Sequence, residues 1–179
     1  MNCWKSINIS RDYGSIRLSM ISCISILIFF LFYYLLLSSL ISVTQYIEYG
    51  ILPIILGIPT VILLHKLFHC IPIWLSGNKA NIEVVMADRI PRVFCCIPQP
   101  LHRNTCILSA LFPVLLVTSG CFIGATFSPE HLHYFAIFAS INFGMSIYDL
   151  MYAYQLTKAP KDSLIEDHRE GFHILIKRY

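Results

Sequence analysis

Apolar residues collect in four long stretches along the chain, and short polar segments divide them. Residues 18–41 (LSMISCISILIFFLFYYLLLSSLI) contain no charge and are long enough to cross about 30 Å of hydrocarbon as a helix. A cleaved signal peptide would have a shorter apolar core and end at a small-residue cleavage site, which this stretch does not show. A second stretch, 51–75, runs through two histidines and a lysine, and Pro53 and Pro59 are expected to kink or loosen its outer half. Ser76-Gly77-Asn78 then reads as a stop. The third stretch, 105–127, is uncharged and contains Pro113 with small residues suited to close helix packing. After the tight turn expected at Ser128-Pro129-Glu130, the fourth stretch covers 131–156, with Asp149 as its acid.

The polar segments are shorter and less regular. Residues 1–17 are polar and basic, and 42–50 form a short linker. Within 76–104, NIEVVM (81–86) and RVFCCI (92–97) alternate as short strands do, so the spacing predicts a β-hairpin beside the membrane, punctuated by Pro91, Pro98 and Pro100. The tail 157–179 is polar, and its end, GFHILIKRY, reads as a strand. The expected fold class is an all-α polytopic membrane protein, a single membrane domain of four transmembrane helices with a small cytoplasmic β-hairpin element.

Composition agrees with this pattern. Of 179 residues, 56% are hydrophobic and 13% charged, and the mean hydropathy is +0.67. A soluble domain has about 25% charged residues. A small core could not bury so much apolar surface in water, so the lipid bilayer is the expected surrounding. The net charge of +3 includes no dense basic cluster, which argues against a nucleic-acid partner. Seven scattered cysteines form no CxxC pair, and they read as packed thiols rather than a zinc ribbon or redox motif.

The distribution of charge is more telling than its sum. Three Lys and Arg precede the first span, four lie in 76–104 and five in the tail, while the segments 42–50 and 128–130 have none. The remaining base is Lys66, inside the second span. The positive-inside rule then places both termini and the 76–104 loop in the cytoplasm of a multi-pass cell-membrane protein. Spans two and four run in the same direction, from outside to inside. His65 and His69 stand ten and six residues before the end of span two, and Asp149 seven before the end of span four. At about 1.5 Å rise per residue, the three lie at similar depth.

Ionisable groups inside a span are costly and mark candidate sites. His65 and His69 are four apart and share one helix face. On the fourth span, Asn142, Ser146 and Asp149 form a polar stripe. Two imidazoles and a carboxylate make a three-ligand zinc site of the catalytic kind, with a fourth position left open. The same spacing fits the zinc-peptidase signature His-Glu-x-x-His, except that Lys66 follows the first histidine. Two readings need no metal. Lys66 and Asp149 could form an intramembrane ion pair in a structural or regulatory protein. Alternatively, His65, His69 and Asp149 could relay protons in a small transporter, although four spans give little material for a pore.

The run LLHKLFHCIPIWLSGNKANIE, followed by SIYDL late in the last span and a polar tail with GFHILI, resembles the bacterial putative zincin membrane peptidases. This small multi-span family is similar in layout to the site-2 intramembrane metalloproteases, in which two histidines on one span and an aspartate on a later one hold zinc. The resemblance implies His65, His69 and Asp149 as ligands and zinc as cofactor. In the family pattern the glutamate after the first histidine is the general base. Lys66 occupies that position, cannot act as a carboxylate, and when protonated would repel the metal.

The expected function is therefore that of a zincin-like integral membrane protein, a degenerate metallopeptidase that binds a membrane-protein or peptide partner. The alternative is an active zinc metalloprotease in which another carboxylate, Glu83 or Asp88, supplies the base. His131 and His133 flank an outer turn and are expected to be solvated or interfacial. His102, His168 and His173 lie in polar stretches without ligand spacing, and Trp4, Trp74, Tyr46 and Tyr49 are placed as interfacial aromatics.

Overall fold

A computed structural model describes residues 2–87, 90–96, 99–168 and 171–176, with the backbone alone described at 10, 81–87, 90–96, 167 and 168. It contains four long helices and a sheet. Strand β1 (Asn2–Ile7) and a short helix α1 (Ile9–Tyr13) precede α2 (Ser15–Leu40), then α3 (Leu52–Leu75), α4 (Arg103–Phe127) and α5 (Leu132–Thr157). The hairpin strands are β2 (Asn81–Ala87) and β3 (Ile90–Cys96). Short β4 (Leu101–His102) leads into α4, and β5 (Leu164–His168) and β6 (Gly171–Ile176) follow α5.

Each long helix begins and ends within three residues of its expected bounds. Helix α3 accommodates Pro53 in its first turn, where a missing N–H costs nothing, and continues through Pro59 and Pro72. It ends at the expected stop, where Gly77 takes φ 77°, a left-handed conformation that glycine adopts at little cost. The Ser128-Pro129-Glu130 turn is a single 3-10 turn, Pro129–His131.

Three helices, α2, α3 and α4, are long and apolar enough to cross a membrane. The fourth expected span, α5, forms a helix of similar length but is not among these three. Packing explains this. Helix α5 lies against α2, α3 and α4, and its buried residues include Ser140, Asn142, Gly144 and Ser146. A Cβ at Gly144 would collide with Ile26 of α2, so the two backbones meet closely there. A helix shielded by its neighbours needs less apolar surface than one facing lipid.

The β-hairpin forms as expected, with β2 antiparallel to β3. A larger sheet was not expected. Strands β1, β6, β5 and β4 pair in that order, all antiparallel, so the first residues of the chain pair with nearly the last. The predicted tail strand is β6, and 177–179 lie outside the described residues, as does 97 of the predicted hairpin.

Two apolar cores divide the bundle. One, beneath the four-stranded sheet, includes Cys70 and Ile73 of α3, Cys106 of α4 and Leu156 of α5, with Ile165 and Ile174. The other includes Val61, Val117, Cys121, Ala136 and Ala139 with Tyr33 and Leu37. Along α3, α4 and α5 the residues between these two cores are His65 and His69, Ser109 and Pro113, and Asn142, Ser146 and Asp149. A polar layer thus separates two apolar ones.

Candidate metal centre

The centre follows from helical spacing on α3. His65 and His69, one turn apart, point the same way, and their rings stand nearly perpendicular at 85° with centroids 4.9 Å apart. Helix α5 brings Asp149 to both. His65 Nε2 lies 3.1 Å and His69 Nε2 3.4 Å from Asp149 Oδ2, and the two Nε2 atoms are 3.3 Å apart. His65 is 1% exposed.

The hydrogen bonds on the far side of each ring place a proton on each Nδ1 and leave the Nε2 atoms facing the triangle. Asn142, fully buried, directs Nδ2 to the Pro113 carbonyl at 3.3 Å. That oxygen only accepts, so the amide nitrogen must face it. Asn142 Oδ1 therefore faces His65 Nδ1, 2.9 Å away, and Nδ1–H is the donor. His69 Nδ1 lies 2.8 Å from the Ser109 carbonyl, again an acceptor, so His69 also carries its proton on Nδ1. Ser109 Oγ returns a bond to the His69 carbonyl at 2.6 Å. Ser146 Oγ bonds the Asn142 carbonyl at 2.9 Å.

In neutral imidazoles with the proton on Nδ1, the two Nε2 atoms present lone pairs to each other and to a carboxylate oxygen. Three such acceptors repel one another unless a positive charge, a metal ion or a proton on Nε2, lies between them. The triangle suits zinc. Ligand atoms bonded at about 2.0–2.1 Å around a tetrahedral ion stand about 3.3–3.4 Å apart, and the three distances here run from 3.1 to 3.4 Å. Among the described residues, His65, His69 and Asp149 are the group of His, Cys, Asp and Glu able to hold a metal ion.

Asp149 pairs with the histidines and, among the described residues, not with Lys66, so the expected alternative of a Lys66–Asp149 ion pair is not formed. The reason is helical geometry. A residue one position beyond His65 is rotated about 100° around the axis, away from the face that meets α5. Asp88 lies outside the described residues, as do the side chains of Glu83, Cys95, Cys96 and His168. His102 and His173 belong to the four-stranded sheet, away from the centre.

The sequence named the three converging residues and placed Asn142 and Ser146 on the right stripe, but it did not connect Asn142 to His65. The Ser109 carbonyl was missed, because a backbone oxygen leaves only an indirect mark in the sequence, the proline four residues later.

A profile of the family described as "Putative zincin peptidase" matches residues 58–164, more than half of the chain and including His65, His69 and Asp149. The chain belongs to this family. No curated protein and no solved structure matches it. Family and geometry agree in kind: a zincin-like protein in which His65, His69 and Asp149 could hold a metal ion.

Proposed function

We propose that this zincin family member is a four-span membrane protein that binds one zinc ion through His65, His69 and Asp149 and has lost ordinary peptidase activity. The convergence of three acceptor atoms, with both Nδ1–H groups already engaged, carries the metal assignment. Zinc held there would supply Lewis acidity, and its fourth position would face water or a bound carbonyl.

The loss of peptidase activity follows from Lys66. Within the centre there is one carboxylate among the described residues, and it faces both imidazoles. Among the described residues no second one stands ready to take a proton from water. A site that can hold a carbonyl oxygen but not activate water suits binding, and a membrane-protein or peptide segment is the partner we assign to it.

The four-stranded sheet supports the four-span topology by parity. Strands β1, β4, β5 and β6 share one sheet and therefore one side of the membrane. Between β1 and β4 the chain passes through α2 and α3, and between β4 and β5 through α4 and α5. If α4 crosses, α5 must cross back. The excess of Lys and Arg in the segments at this end makes it the cytoplasmic one.

The test is metal content with proteolysis, on detergent-purified protein supplied with zinc. About one zinc per chain is expected by elemental mass spectrometry, with no cleavage of membrane-peptide substrates by the wild type and cleavage gained in Lys66→Glu. Zinc-dependent cleavage by the wild type would overturn the loss of activity. Zinc absent from the wild type would overturn the metal centre.

A further inference from the structure

Both histidines of the centre are oriented by carbonyl chemistry on α4, and one residue stands behind both contacts. In an α-helix the N–H of each residue bonds the carbonyl four residues earlier. Pro113, fully buried within α4, has no N–H, and its ring pushes against the carbonyl four residues back. That carbonyl belongs to Ser109. Left without its helical donor, it accepts instead from His69 Nδ1 across the α3–α4 interface at 2.8 Å. The carbonyl of Pro113 itself accepts from Asn142 Nδ2, which turns Asn142 Oδ1 toward His65 Nδ1.

We propose that Pro113 is a positioning residue of the metal centre: by withholding one backbone N–H it leaves the Ser109 carbonyl to fix His69 as an Nε2 ligand. The proposal rests on the zinc reading for its purpose, but its geometry is independent of the metal. A buried proline in a spanning helix is often a packing or bending device, since neighbouring groups satisfy the released carbonyl. Here the neighbouring group is a ligand histidine, and the exchange sets which of its nitrogens faces Asp149. Outer hydrogen bonds of this kind typically tune metal affinity by about 10–100-fold.

Pro113→Ala tests it. Alanine supplies the missing N–H and is the best helix former, so the variant should fold. The Ser109 carbonyl then has an intrahelical donor and competes less for His69. Two readouts are needed on the full-length protein in detergent. Nitrogen-15 NMR of histidine-labelled, metal-free protein, with the His69 signal identified by its absence in His69→Gln, should show a hydrogen-bonded Nδ1–H at His69 in the wild type and its loss in Pro113→Ala. Zinc affinity by chelator competition should fall about 10–100-fold without a matching fall in the melting temperature of the metal-free protein.

Pro59→Ala, which restores an N–H in the exposed part of α3 away from the centre, should change neither readout. An unchanged His69 signal in Pro113→Ala would overturn the proposal, as would an unchanged affinity. If the wild type binds no zinc, the metal reading fails, and the nitrogen-15 signal alone then decides whether Pro113 orients His69.

Discussion

Two histidine pairs occupy this bundle at different depths, and they are treated in opposite ways. His65 and His69 on α3 are four apart, with both Nδ1 atoms bonded to fixed acceptors and both Nε2 atoms turned to one carboxylate oxygen. His131 and His133, at the start of α5, are two apart, and their Nε2 atoms are buried with no hydrogen-bond partner among the described residues. Tyrosines surround them instead. His131 stacks on Tyr49 with centroids 5.4 Å apart, and His133 lies 4.1 Å from Tyr134 and edge-on to Tyr46. A two-residue separation turns side chains to different sides of a helix, whereas four returns them to one. A histidine pair becomes a candidate ligand set when its spacing and the partners of its far nitrogens agree.

The largest expected effect separates the two pairs directly. His65→Ala/His69→Ala should reduce bound zinc from about one per chain to background, while His131→Ala/His133→Ala should retain it. Elemental mass spectrometry of the three proteins, purified in parallel, makes the measurement. Zinc lost from the outer-pair variant and kept in the inner one would reverse the comparison outright.

A smaller effect is expected from Asp149→Asn. The amide keeps the size of the carboxylate but removes the charge that the two Nε2 atoms face, so zinc affinity should fall by about 100-fold or more, beyond what losing an outer partner costs. Glu130→Gln is the matching change at the other pair, where Glu130 Oε1 lies 3.4 Å from His131 Nδ1. It should leave zinc affinity within experimental error. Equal effects from the two substitutions would mean that the carboxylates act through overall charge and not through ligation.

What the sequence disclosed follows the range of each signal. Helices α2 to α5 were legible because apolar runs are local, and the histidine spacing was legible because 3.6-residue periodicity carries it within one helix. Asp149 was placed by counting depth along two spans, a weaker inference that the contact to both histidines supports. The four-stranded sheet was hidden, since β1 pairs with β6 across nearly the whole chain and no local pattern announces that pairing. The reading of 1–17 as polar and basic missed Ile7 and Ile9, both buried beneath the sheet. Around the centre, the Ser109 carbonyl had one sequence signal, the proline four residues later. The pattern of small residues around it gives that proline no role of its own.

The smallest effect tests whether the outer turn is only a structural cap. Tyr134 is buried, and its hydroxyl accepts from the Tyr49 N–H at 2.9 Å and donates to the Gly50 carbonyl at 3.0 Å, closing the 42–51 linker over the start of α5. Tyr134→Phe keeps the ring against His133 and leaves those two backbone groups without this partner. A buried group that loses its hydrogen bond costs about 1–3 kcal/mol. The cost here should be at the low end, because Tyr49 and Gly50 lie near the surface and water can reach them. The expected outcome is a melting temperature lowered by a few degrees in detergent, with zinc stoichiometry and affinity unchanged. An apolar core that includes Val61, Val117 and Ala139 lies between this cap and the metal centre. Zinc affinity falling together with the melting temperature would show that the cap sets the position of α5 at Asn142 and Asp149, and the two histidine pairs would then belong to one mechanical unit.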